Sequence, residues 1–123
     1  MLLLSDIVFG VVAVLHLWFL TLEMFLWEAP IGRRTFGQTR EQAAATAVLA
    51  KNQGLYNGFL AAGLVWGLLE GHTAAGAHVR LFFGACVVVA GIYGAYSTGK
   101  RTILIVQSLP AVVAVGVLLV AGA

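Results

Sequence analysis

The sequence holds a single cysteine, Cys86, and two prolines, Pro30 and Pro110. One cysteine excludes an intramolecular disulfide. Cys86 lies inside an apolar run and reads as a small, inert hydrophobe. Charge is scarce as well: 10% of the residues are Asp, Glu, Lys or Arg, where soluble domains carry about 25%. No Ser-His-Asp order, phosphate loop, dinucleotide fingerprint or metal motif is present, so hydrolase, kinase and dehydrogenase readings have no support. No Lys or Arg precedes the first apolar stretch and no small-residue cleavage pattern follows it, so the start reads as a retained span rather than a signal peptide. Seven Lys and Arg against five Asp and Glu, scattered between apolar runs, fit membrane-flanking loops and not nucleic acid.

What the chain has is hydrophobicity, 61% over 123 residues. The reading is all-α: an integral membrane four-helix bundle forming a single domain, 1–123, with spans at about 6–27, 43–69, 80–98 and 102–120. The first, Ile7 to Trp27, is long enough at roughly 1.5 Å per residue to cross a core of about 30 Å. Ser5 and Asp6 are expected to cap its start. His16 and Glu23 are seven positions apart, which returns them to within about 20° of one helix face. Phe9, Val12, Phe19, Leu20 and Trp27 fall near the same seam. An ionisable side chain within a span must face protein or water, which makes Glu23 and His16 the candidate proton-transfer groups. Against this stands a bland reading, in which Glu23 snorkels to the surface and His16 is a packing residue.

Glu28 to Gln42 is basic and interrupted by Pro30 and Gly32, so it reads as a connecting loop. The second helix is expected from near Glu41 to about Leu69. It carries Gly54/Gly58 and Gly63/Gly67 pairs that permit close helix approach. Glu70 to His78 reads as a polar turn. His72 and His78 lack a third ligand nearby, so no metal site is expected. In the third span, Tyr93 and Tyr96 sit at the end where an aromatic belt is expected. In the fourth, Pro110 removes a helical donor and frees the carbonyl of Val106, predicting a kink beside Gln107.

With four spans, loops one and three share a side that holds Arg33, Arg34, Arg40, Lys100 and Arg101, with Lys51 near; Arg80 alone lies opposite. Both termini are therefore expected outside and the basic loops in the cytoplasm. By depth, Glu23, Asn52, Gln53, Tyr56, Asn57, Tyr93 and Gln107 fall in the same half of the membrane, with His16 at the base of that zone. This many polar groups beside a carboxylate suggests a polar pocket opening to the cytoplasmic leaflet, rather than a hydrogen-bonded plug.

The segments Leu22 to Pro30, Lys51 to Gly67, Ala90 to Ser97 and Gln107 to Ala111 resemble a family of four-span bacterial membrane proteins of about this length, catalogued as a domain of unknown function. The resemblance implies the four-helix fold and the bacterial cytoplasmic (inner) membrane, and it brings no activity with it.

The leading functional expectation is a site for an amphipathic small molecule or lipid. Glu23 and His16 would serve as catalytic proton-transfer groups for an isomerisation needing no cofactor. Asn52, Gln53, Tyr56, Asn57, Tyr93 and Gln107 would be the ligand-binding set. The first alternative is proton-coupled export by a homodimer, in the manner of small four-span multidrug carriers with a first-span glutamate. A structural or accessory role is the second. Haem on His16 has no second ligand in view.

Overall fold

The computed structural model describes residues 1–122, and among them every regular element is helical. The order is α1 (Leu2–Met24), α2 (Pro30–Phe36), α3 (Arg40–Leu69), α4 (Ala74–Thr98), a π-helical turn (Leu104–Ser108) and α5 (Leu109–Val120). Two helices, α1 and α4, are long and apolar enough to cross a membrane; Leu104–Val120 is a shorter apolar helical run.

The boundaries differ from the sequence reading in ways that local chemistry explains. α1 begins at Leu2, so Ser5 and Asp6 lie inside its first turns and do not cap it. It stops at Met24, six residues before Pro30, so proline is not what ends it. Pro30 instead opens α2, where its missing N–H would be unpaired anyway and its fixed φ suits a helix. The expected loop Glu28 to Gln42 thus contains a helix, closed by Gly37 at φ 64°. α3 starts behind a reciprocal cap: Gln42 N–H donates to Thr39 Oγ1 at 3.1 Å and Thr39 N–H donates to Gln42 Oε1 at 2.9 Å. α4 starts at Ala74, not near Arg80, because Thr73 Oγ1 accepts from Gly76 N–H at 3.0 Å. Most of the expected polar turn before Arg80 is therefore helix.

Cα packing divides the chain into two compact units, Met1–Val14 with Leu60–Ala123, and Leu15–Phe59. The first has an apolar core of Phe9, Val12, Ala13, Leu64, Val87, Ala111, Ala114 and Leu118. On α4 the buried positions Gly76, Ala77, Arg80, Gly84, Val87 and Gly91 recur every three or four residues, the spacing of one helix face. Small residues on that face let neighbours approach. A Cβ at Gly84 would press on Val115, and one at Gly91 would strike Ser108. Ser108 Oγ donates to the Val88 carbonyl at 2.9 Å, tying the π turn to α4. The disturbance expected at Pro110 takes the form of this π turn: Leu109 N–H reaches back to Leu104 O, and the wider turn relieves crowding between the proline ring and the preceding carbonyls.

In the second unit, the end of α1 packs on the start of α3. A Cβ at Gly54 would lie 2.5 Å from Met24 and 3.1 Å from Glu23, and one at Gly58 would lie 2.7 Å from Leu20. The two glycine pairs of α3 therefore serve different neighbours, because Gly63 faces Phe83 and Gly67 faces Arg80 of α4 in the first unit. Trp27 fastens α2 to α3. Its Nε1 donates to Ala43 O and to Thr46 Oγ1, both at 3.1 Å, and its ring lies 4.8 Å from Phe36.

Polar side chains share the interior with the apolar core, and many large apolar side chains lie on the outside. The buried residues include Ser5, His16, Glu23, Asn57, Arg80 and Ser108, while Phe25, Val48, Leu49, Leu69, Phe82, Val89 and Val120 face outward.

Candidate functional site

The site begins with the buried face of α1 in the second unit, which carries His16, Leu22 and Glu23. His16 is fully buried and meets Phe19 edge-on, with ring centroids 5.4 Å apart. Glu23, 8% exposed, sits one residue from the end of α1. Opposite it, α3 turns Ala50, Gly54 and Asn57 inward. Gly54 removes the side chain that would hold the helices apart. One turn further on, Asn57 Nδ2 donates to Glu23 Oε1 at 2.5 Å.

This bond joins two residues that the sequence placed in the site. A side-chain hydrogen bond between two buried partners orders both of them. A carboxylate has about four acceptor positions. The Asn57 amide occupies one of these positions on Glu23.

The rest of the expected set is placed differently. Asn52, Gln53 and Tyr56 of α3 are exposed, because the inward face of the helix runs through Gly54 and Asn57. Spacing along α3 puts Asn52 with Tyr56 and Gln53 with Asn57, but only packing selects which of these positions turns inward. In the first unit, Tyr93 is 68% exposed on α4 and Gln107 is partly buried in the π turn. Among the described residues no group of three His, Cys, Asp or Glu side chains could hold a metal.

A second polar cluster, in the first unit, was not foreseen. Arg80 is 1% exposed. Its Nη1 donates to Asp6 Oδ1 at 2.5 Å, its Nη2 to the Gly71 carbonyl at 2.8 Å and its Nε to the Gly76 carbonyl at 3.2 Å. Asp6 also meets His72 Nε2 at 2.7 Å. Gly71 ends α3 with φ 66°, a conformation that favours glycine and that turns its carbonyl toward the guanidinium. The cluster holds the start of α1 to the turn between α3 and α4. A lone acid and a lone base drawn inward among apolar helices must pair, but Asp6 and Arg80 are 74 residues apart in the sequence and no local pattern links them.

Comparison with curated proteins and with solved structures found no match. A family model described as "Protein of unknown function (DUF1304)" matches residues 10–119, a span containing Glu23, Asn57 and Arg80 and nearly the whole chain, and the protein belongs to that family.

Proposed function

We propose that this chain is a four-span protein of the bacterial cytoplasmic membrane, and that a polar pocket in the cytoplasmic half of the bilayer, centred on Glu23 and Asn57, binds an amphipathic small molecule or lipid. In this reading α1, α3, α4 and the run Leu104–Val120 are the spans, both termini lie outside, and the basic loops face the cytoplasm. The apolar exterior supports it. Apolar side chains facing outward on all these helices suit hydrocarbon, and among the polar ones facing inward Glu23, Asn57, Arg80 and Ser108 find hydrogen-bond partners. α3 is 30 residues long, about 45 Å, so its charged beginning can extend beyond the bilayer. Leu104–Val120 is shorter than an average span, which local thinning of the bilayer accommodates.

The observation that carries the ligand reading is the Asn57–Glu23 bond. A hydrocarbon-embedded carboxylate is expensive, and a single amide partner satisfies only part of it. The remaining acceptor positions suit the polar head of a molecule whose apolar part lies in the lipid. The chemistry such a group supplies without a cofactor is proton transfer, and isomerisation of the bound molecule is the reaction class it allows.

The test is ligand-linked stability. The purified protein is heated with a panel of amphipathic lipids and lipid-like small molecules, wild type beside Glu23→Gln. A ligand at one hundred times its Kd stabilises by about 2.7 kcal/mol. The proposal expects one chemical class to stabilise the wild type and to lose that effect in the variant. Equal shifts in both forms across the panel contradict it.

A further inference from the structure

The second unit carries a groove that the Glu23 site does not use. Pro30, Arg33, Arg34, Gly37, Gln38 and Thr39 line an open, polar depression of about 550 Å³ where α2 turns into α3. Three of its features point to one ligand chemistry. Arg33 spends only Nε on the protein, donating to the Glu28 carbonyl at 3.1 Å, and Arg34 is exposed beside it. Gly37, which caps α2 at φ 64°, lines the groove without a side chain. Gln38 Oε1 is buried and, among the described residues, receives no donor. In the sequence around these residues two apolar side chains are exposed, Ile31 next to Pro30 at 45% and Phe25 at 72%.

We infer that this groove is a binding site for the headgroup of an anionic phospholipid, a phosphodiester with a hydroxyl on its headgroup. The free guanidinium N–H groups of Arg33 and Arg34 receive the phosphate oxygens, in the fork geometry that suits arginine to phosphate. The headgroup hydroxyl supplies the donor that Gln38 Oε1 lacks. Phe25 and Ile31 lie against the acyl chains. The inference rests on the reading of this chain as a membrane protein, in which exposed Phe25 and Ile31 suit a lipid surface.

The experiment is vesicle flotation and nanodisc retention under three conditions: phosphatidylcholine alone, phosphatidylcholine with phosphatidylglycerol, and the same phosphatidylcholine–phosphatidylglycerol mixture with inorganic phosphate added in solution. Wild type is compared with Arg34→Gln, with Arg33→Gln/Arg34→Gln, and with Lys100→Gln/Arg101→Gln, which removes equal charge from another loop. Arg34 is exposed and, among the described residues, makes no side-chain bond, so Arg34→Gln should leave the fold intact and guards against a misfolded double variant. Native mass spectrometry of protein released from the discs counts retained phosphatidylglycerol. The expected result is selective retention of phosphatidylglycerol by wild type and by the Lys100/Arg101 variant, weakened about thirtyfold in the Arg33/Arg34 variant and about fivefold in Arg34→Gln. Added phosphate that displaces the lipid shows that the site reads the phosphate alone, which overturns the role given to the headgroup hydroxyl. Equal retention by wild type and both arginine variants overturns the site while the protein still floats, and so leaves the membrane reading standing. A protein that floats with none of the vesicles overturns both.

Discussion

Replacing Arg80 with glutamine tests how the first unit is held together. The guanidinium is almost fully buried and serves three acceptors, Asp6 and the carbonyls of Gly71 and Gly76. The charged bond to Asp6 is worth about 1.5–3 kcal/mol in a buried setting. Asp6 is 30% exposed and keeps His72, so the lower end applies. Gly76 O lies one helical turn before Arg80 and retains its place in the α4 ladder, so its loss contributes little. Gly71 O ends a helix and has no such substitute; leaving it unpaired costs about 1–2 kcal/mol. The sum is about 3 kcal/mol, within the range seen when one partner of a buried ion pair is removed. Equilibrium unfolding in mixed micelles should show this loss for Arg80→Gln, while Arg34→Gln at an exposed position stays within about 0.5 kcal/mol of wild type. The double variant Asp6→Asn/Arg80→Gln should be less destabilised than the sum of its parts by at least about 1 kcal/mol. Strict additivity, or an Arg80→Gln protein as stable as Arg34→Gln, refutes the reasoning.

Other expectations follow from the same packing. Gly91→Ala places a methyl group against the Ser108 backbone nitrogen at 2.9 Å and should destabilise by about 1–3 kcal/mol, whereas Gly116→Ala, with nothing within 4 Å, should be neutral or slightly stabilising in the same unfolding assay. Trp27→Phe keeps the ring but loses both Nε1 bonds to α3; about 1 kcal/mol should go, with Trp27→Ala losing several times more through the contact with Phe36. Asn57→Leu removes the donor to Glu23 and should be more destabilising than Glu23→Gln by at least about 1 kcal/mol, because only the first leaves an unpaired buried carboxylate.

The residues that could be read from the sequence were those whose position depends on helix period alone. His16 and Glu23 share a face because seven residues make nearly two turns, and the structure buries both. Asn57 was named, but with three companions on α3 that prove exposed, because the period gives faces without saying which one meets a neighbour. The small residues Gly54 and Gly58 held that information, since close approach on their side turns Asn57 inward and Asn52 outward. Pro30 can stop one helix or start another, and only the structure shows that it starts α2; Thr73 sits among residues that read equally as a turn, which hides its role as the cap of α4. The Asp6–Arg80 pair joins positions 74 residues apart, so no local pattern shows it.

The claim at the centre of this account is that the Glu23–Asn57 pair receives a ligand and does not merely lock two helices together. Native mass spectrometry with lipid analysis, on wild type and Glu23→Gln purified in mild detergent, addresses it most directly. A defined small molecule or lipid should be bound to the wild type and absent or changed in the variant, with both proteins folded. Two empty proteins of equal stability would contradict it and leave the pair as a helix-packing contact.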